Sequence, residues 1–450
     1  VTQALAYIST RSPGEPVTLS DAIARGLAPD GGLYVPERLP ALDLSAFDVS
    51  AFDVSAFDTG ALASLRLPDL ARHVLDGFFR GDRLRGELGE IADAALDLAA
   101  PTTPVPASAD PLYVLELFHG PTAAFKDFGA RFLAESLQRL ETQAAAPLTI
   151  LVATSGDTGG AVAAAFHRRP WVRVVILYPR GLVSPRQEQQ LTCWGGNVTS
   201  LRVDGTFDDC QRLVKEAFVD RDLARRHRFS SANSINIGRL LPQMVYYVAS
   251  CLEIQRQTGR KGSYIIPAGN LGNAFAAVWA RALGLPIDRI VLAHNSNRTI
   301  IDYLQSGQWR PRPSVATLAS AMDVGNPSNM ERLQSMHPTV ESLRAQVSAD
   351  SVDDAAIQAR IREDYADYGR IWCPHTATAA ECYRRLPEAQ RRDRPWVLVA
   401  TAHPAKFNEI VEPLIGRPVE VPAGLASLLR LPQHRVDVAA TLDALAAALE

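Results

Sequence analysis

Cysteine is scarce and scattered in this 450-residue chain: Cys193, Cys210, Cys251, Cys373 and Cys382, with no CxxC pair and no His/Cys cluster. That odd, dispersed set argues against a disulfide framework or a zinc site and predicts a reducing, cytoplasmic setting. An excess of charge of one sign is also missing. Lys and Arg number 46 against 49 Asp and Glu, a net charge of −3, which gives no electrostatic footprint for nucleic acid or a membrane surface. Any bound anion must therefore be held by a local site. No apolar run approaches about 20 residues, and the opening VTQALAYISTR has no apolar signal core. Both features predict a protein that neither spans a membrane nor is exported. The glycine loops lack GxGxxG spacing and no Walker A Gly-Lys-Ser/Thr follows them, which argues against a nucleotide.

What is present is an ordinary globular composition, 47% hydrophobic and 21% charged, in a chain too long for one hydrophobic core. We expect an N-terminal domain over 1–99 and α/β domains over 100–240 and 241–450. The first is built of short apolar stretches and turns, with Asp30-Gly31-Gly32 turning into the strand-like Leu33-Tyr34-Val35. A tandem pentapeptide, SAFDV-SAFDV-SAFDT at 45–59, matches neither helix nor strand period and reads as a duplication in a tolerant surface loop. Residues 100–111, rich in Pro, Thr, Ala and Ser, read as an extended connector. Beyond them the rhythm is strand–loop–helix, with apolar strands at 148–154, 172–178, 263–268, 289–295 and 396–402. That alternation predicts right-handed crossovers and parallel sheets, with ligands beyond the carboxyl ends of the strands.

Four loops at predicted strand ends or helix starts carry polar chemistry. Thr154-Ser155-Gly156-Asp157-Thr158-Gly159-Gly160 can gather backbone N–H groups into an anion cup at a helix start. Read alone, Ser155 or Asp157 can equally be a helix N-cap. Gly269-Asn270-Leu271-Gly272-Asn273 has the same logic, with a helix starting at Gly272. In 231–239, Asn233, Ser234 and Arg239 suit a phosphate dianion, although a capped helix start with a surface arginine fits as well. In TAHPAKF at 401–407, the Thr401 hydroxyl can meet a ring nitrogen, and His403 can be a base or a structural turn. Lys126 stands in ELFHGPTAAFKDFG at 116–129, between a Gly-Pro turn and a helix start. Most lysines only solvate a surface, but lysine is also the side chain that forms a reversible imine with pyridoxal phosphate.

Taken together, these runs resemble the threonine synthase family, pyridoxal-phosphate enzymes of the tryptophan-synthase-β fold group (fold type II). The likeness spans nearly the whole chain: YISTR at 7–11, GLAPDGGLYVPE at 26–37, the Lys126 run, ATSGDTG at 153–159, SANSINIGR at 231–239, PAGNLGN at 267–273, GNPSNMER at 325–332 and TAHPAKF. It is the longer bacterial and fungal branch, with an added N-terminal domain, that they resemble. The departures are Ala123, where many members carry a larger aliphatic residue, and the pentapeptide repeat.

The resemblance implies an α/β fold of two parallel-sheet domains plus the N-terminal domain, acting as a monomer or homodimer. It implies that Lys126 holds the cofactor and moves protons. Gly269, Asn270, Leu271, Gly272 and Asn273 would bind the cofactor phosphate, and Thr401 would meet the pyridine nitrogen. Ser155, Gly156, Asp157 and Thr158 would bind the substrate carboxylate. Asn233, Ser234 and Arg239, with Thr158, would hold the substrate phosphate. The stretch NPSN at 326–329 would lie near the same cleft. The implied reaction is O-phospho-L-homoserine plus water giving L-threonine plus phosphate. A dehydratase of the same fold group would need the carboxylate loop but no second phosphate pocket, so the 233–239 cluster discriminates between them.

Overall fold

The computed structural model describes residues 4–12, 14–44, 66–106, 108–141 and 147–450; the pentapeptide repeat lies outside the described residues. Two sheets organise the chain. The five-stranded sheet runs in the order β13-β7-β6-β5-β8, where β5 is Leu148–Ala153, β6 Val172–Pro179, β7 Val198–Asp204, β8 Arg228–Ser231 and β13 Val436–Ala439. All its pairings are parallel. The six-stranded sheet runs β11-β10-β9-β12-β4-β3, with β3 Thr102–Pro104, β4 Leu112–Glu116, β9 Gly262–Pro267, β10 Ile287–His294, β11 Ser348–Ser351 and β12 Trp396–Ala400. Only β3 is antiparallel.

The central strands are apolar on both faces because helices cover both: every residue of β5, β9 and β12 is buried. One apolar cluster fills one side of the five-stranded sheet and continues into the N-terminal segment, a second packs against the six-stranded sheet, and a third covers the remaining face of the five-stranded sheet. In the N-terminal segment, β1 (Tyr7–Ser9) pairs antiparallel with β2 (Tyr34–Pro36). The helices Leu67–Asp76 and Leu88–Leu96 place their apolar faces in the first cluster. The Tyr7 hydroxyl donates to Phe78 O at 2.7 Å, tying this strand pair to the turn Gly77–Phe79 that follows the first of those helices.

Sheet membership departs from a division at 99/100 and 240/241. The expected connector contains β3, which with β4 joins the six-stranded sheet although both precede the Lys126 helix, and β13 returns from the end of the chain to the five-stranded sheet. Alternation along a sequence marks strands but not their neighbours, which are chosen by burial across long connections.

The third apolar cluster shows how the last segment matters. Leu445 and Leu449, from the helix Leu442–Leu449, pack with Leu151, Val175 and Leu201. Leu445→Ala should lower the unfolding free energy by about 2–5 kcal/mol, measured by denaturant titration; an unchanged midpoint would show that this helix is not part of the sheet's core.

Candidate active site

The site is built where the strands end. Beyond β4 the chain turns through 117–125 before Lys126 opens the helix Lys126–Glu141. Gly120 lies against Asp127, where a Cβ would come within 2.3 Å of Oδ2. The Asp127 carboxylate closes the turn by accepting from Thr122 N at 2.9 Å and Thr122 Oγ1 at 2.7 Å. Ala123 adopts φ 54°, a conformation that a small side chain tolerates best. Ala123 O accepts from His403 N at 3.0 Å and Phe125 N donates to Thr401 O at 2.9 Å, so the Lys126 turn lies against the Thr401 loop.

After β5, Thr154 Oγ1 accepts from Gly156 N at 3.0 Å and from Gly159 N at 2.9 Å. Gly156 has φ 133°, which needs glycine. The helix Asp157–Phe166 then starts from Gly156, which has no side chain to cap it, so only Gly159 N of its first turn is met by a side chain, that of Thr154. Ser155 and Asp157 are therefore not N-caps; Gly159 N is taken by Thr154 Oγ1, and the N–H groups of Asp157 and Thr158 have no intrahelical acceptors. The Asp157 side chain points elsewhere: its Oδ1 accepts from Gln187 Nε2 at 3.0 Å and lies 3.1 Å from Lys406 Nζ.

The loop after β9 begins the helix Gly272–Ala282, again without a side-chain cap, and Leu271 takes the left-handed conformation at φ 64°. Asn273 Oδ1 accepts from Tyr246 Oη at 2.6 Å and Tyr247 Oη at 2.8 Å, leaving the buried Nδ2 without a partner. Arg239 is buried, not a surface residue, at 2% exposure. It donates from Nη1 to Ala232 O at 2.7 Å, while its Nε has no partner.

Asn329, within the NPSN stretch, joins these two loops: its Nδ2 donates to Asn270 O at 2.9 Å and to Ser234 O at 3.3 Å. Arg332, itself fully buried, fixes that amide through Nη1 to Asn329 Oδ1 at 2.5 Å.

Lys126, Ser155, Asp157, Thr158, Asn233, Ser234, Arg239, the whole of 269–273 and Thr401 all line one cavity of about 680 Å³. Of the sequence-derived set only Gly156 is not on its wall; it shapes the turn behind. Among the described residues no group of His, Cys, Asp and Glu could hold a metal, and no helix is long and apolar enough to cross a membrane. The residues present fit pyridoxal phosphate: an enclosed lysine, an uncapped helix start with the unpartnered Asn273 amide for its phosphate, and a strand-end threonine.

Burial pulls Lys126 down to about 8; Asp157 opposes the shift, while Arg239 and Lys406 add to it. Burial likewise lowers Arg239 to about 10, against the pull of Asp127 and Tyr246. For Asp157, burial pushes upward, but Lys406, Lys126 and His375 outweigh it and hold the carboxyl well below its usual range.

Sequence reasoning missed Lys406 and His375. Lys406 is fully buried. His375 lines the cavity with Nε2 accepting from Ala321 N at 3.0 Å, and burial lowers it to about 4. His403 proves to be the structural turn: its Nδ1 accepts from Ala405 N at 3.2 Å, and it is not on the cavity wall.

Comparison with known proteins agrees with this geometry. Family models described as "Pyridoxal-phosphate dependent enzyme", "Threonine synthase N terminus" and "Threonine synthase, C-terminal" match residues 98–402, 6–96 and 376–449. The chain is 39% identical to the threonine synthase of Escherichia coli over 419 residues, covering 93% of each protein. It superposes on the crystal structure of that organism's threonine synthase with a TM-score of 0.86, covering 99% of both chains at 37% identity. A pyridoxal-phosphate-bound threonine synthase from Brucella melitensis matches with a TM-score of 0.87 at 31% identity, again covering 99% of both.

The depressed Lys126 value has a direct consequence. In the apoprotein, capture of an aldehyde by Lys126 followed by reduction should rise with pH through a midpoint near 8, not near the 10.5 of an ordinary lysine, because the neutral amine is the nucleophile. Mass spectrometry of the reduced adduct across a pH series checks it; a midpoint near the ordinary value would show that burial does not tune this amine.

Proposed function

The chain belongs to the threonine synthase family of pyridoxal-phosphate-dependent enzymes, and from that premise we propose how its own residues divide the work. Lys126 is the cofactor lysine. The 269–273 loop holds the cofactor phosphate through its helix-start N–H groups and Asn273 Nδ2, and Thr401 offers its hydroxyl to the ring nitrogen. The helix start around Ser155, Gly156, Asp157 and Thr158 holds the substrate carboxylate by its backbone, since the Asp157 side chain is engaged by Lys406. Arg239, with Asn233 and Ser234, holds the phosphate of O-phospho-L-homoserine.

The reaction converts O-phospho-L-homoserine and water to L-threonine and phosphate. Bound pyridoxal phosphate supplies an electron sink that acidifies the C–H bonds of an attached amino acid. Lys126, an amine titrating near 8, is suited to take the proton from Cα and to give it back. It also lies in the same cavity as the groups assigned to the substrate phosphate, and so can serve the proton at Cβ. Arg239 stabilises the charge that grows on phosphate as it leaves Cγ. The proton taken from Cβ is delivered to Cγ, which becomes the methyl carbon, and after water has added its hydroxyl at Cβ, Lys126 returns a proton to Cα.

The observation that carries this reading is the pair of buried, unpartnered donors, Asn273 Nδ2 and Arg239 Nε, on two helices, Gly272–Ala282 and Ile237–Leu240, whose residues line the Lys126 cavity. Two such donors suit two phosphates, which favours a phosphorylated substrate over simple dehydration. The five cysteines, all buried and free, support a cytoplasmic setting, and a net charge of −3 supports a small-molecule partner and not nucleic acid.

Arg239→Met tests the substrate assignment. Phosphate release from O-phospho-L-homoserine should fall in kcat/KM by roughly 100- to 1000-fold, while the absorbance of the bound cofactor is retained. Unchanged kinetics would remove Arg239 from the substrate-phosphate site.

A further inference from the structure

The buried ammonium of Lys406 has no part in the chemistry above, yet it occupies a singular place. It lies five residues beyond Thr401, in the short turn Pro404–Phe407 that follows β12. Its Nζ donates to Thr122 O at 2.6 Å, in the turn that leads to Lys126. The same atom lies 3.1 Å from Asp157 Oδ1, at the start of the helix after β5, with the two side chains 0% and 4% exposed. Each partner is further fixed. Gln187 Nε2 donates to Asp157 Oδ1 at 3.0 Å, and Gln190 Nε2 donates to Thr122 O at 3.0 Å. Lys406 O accepts from Ser184 Oγ at 3.2 Å.

The pair spans both sheets: Asp157 follows a strand of the five-stranded sheet, and Lys406 follows a strand of the six-stranded one. Burying two charges is costly and seldom stabilises a fold more than apolar packing would. What the pair does provide is register, because one cation with short contacts to two loops ties both to its own and leaves none of the three free to shift alone.

Resting on the reading of the site given above, we infer that Lys406 is a positioning residue for the reaction: its ammonium joins the loops of Lys126, of the substrate carboxylate and of Thr401, and holds them in the arrangement that turnover needs. It touches no substrate atom in this role. It acts through Asp157, whose engaged carboxylate leaves the helix-start N–H groups to the substrate, and through Thr122, which sets the turn before Lys126. The charged and titratable groups around this knot are Lys126, Asp127, Arg239, Cys373, His375 and His403.

The test compares the wild-type holoenzyme with Lys406→Met, Asp157→Asn and the double variant. Three quantities are read: kcat/KM for O-phospho-L-homoserine, thermal midpoint, and the pH midpoint of the bound cofactor's visible absorbance. Misplacing a loop by an ångström costs on the order of 100-fold, so each single variant should lose that much in kcat/KM. The double variant should lose little more than the worse single one, because both act through one contact. The absorbance midpoint should rise by about a unit in Lys406→Met, where a nearby cation is gone, and fall by about a unit in Asp157→Asn, where an anion is gone.

Wild-type kcat/KM in Lys406→Met, multiplied losses in the double variant, or a fall in thermal midpoint with both absorbance midpoints unmoved would overturn the inference. If Lys406→Met does not fold, the isosteric Asp157→Asn decides alone: a lowered absorbance midpoint supports the coupling and an unmoved one overturns it. Failure of the wild type to yield a borohydride-fixed cofactor on Lys126 would instead overturn the assignment of the site itself.

Discussion

Parallel strands covered on both faces leave the chain little room to vary except in the loops beyond their ends. That constraint shapes everything in this molecule that bears on chemistry. β4, β5, β8, β9 and β12 are interior to their sheets or pair directly with interior strands, and each hands the chain to a loop of the site. The carboxyl ends of the two sheets open on one cavity. Polar side chains and helix starts therefore meet there, and not on the opposite rim.

Within that cavity the electrostatic problem is to receive several anions in a protein whose overall charge gives no help. The solution is local. Lys126 and Arg239 lie on the cavity wall with Lys406 close behind, and the carboxylates that act on these three are Asp157 and Asp127, while Asp208, Asp323 and Glu331 stand elsewhere on the wall. Asp157 is engaged by Lys406 and Asp127 closes its own turn. The positive charge left over is directed at the space where ligands sit. Its cost appears in the lowered values of Lys126 and Arg239, which is the physical form of a site that binds its charge partners from solution.

Much of this could be read in the sequence, because strand runs and loop composition are local properties. β5, β6, β9, β10 and β12 begin and end within two residues of where the apolar runs place them. Lys126, Arg239, Thr401, the 269–273 loop and, apart from Gly156, the 154–158 loop line one cavity. What could not be read are partnerships across long separations. Asn329 earns its place only through Asn270 and Ser234, 59 and 95 positions away. Lys406 differs in no local way from any lysine on a turn until Thr122, 284 positions distant, lies beneath it. The sheet membership of β3, β4 and β13 was hidden for the same reason.

The return of β13 to the five-stranded sheet bears on the order in which the molecule can be assembled. Arg202 in β7 and Asp437 in β13, joined at 2.6 Å, are 235 positions apart. During synthesis β7 therefore waits as an uncovered edge while β9, β10, β11 and β12 of the other sheet are made. The six-stranded sheet starts first, with β3 and β4, yet the five-stranded sheet is the one completed last. A ribosome stalled before residue 436 would carry a nearly finished six-stranded sheet beside one that still offers its backbone to any passing strand.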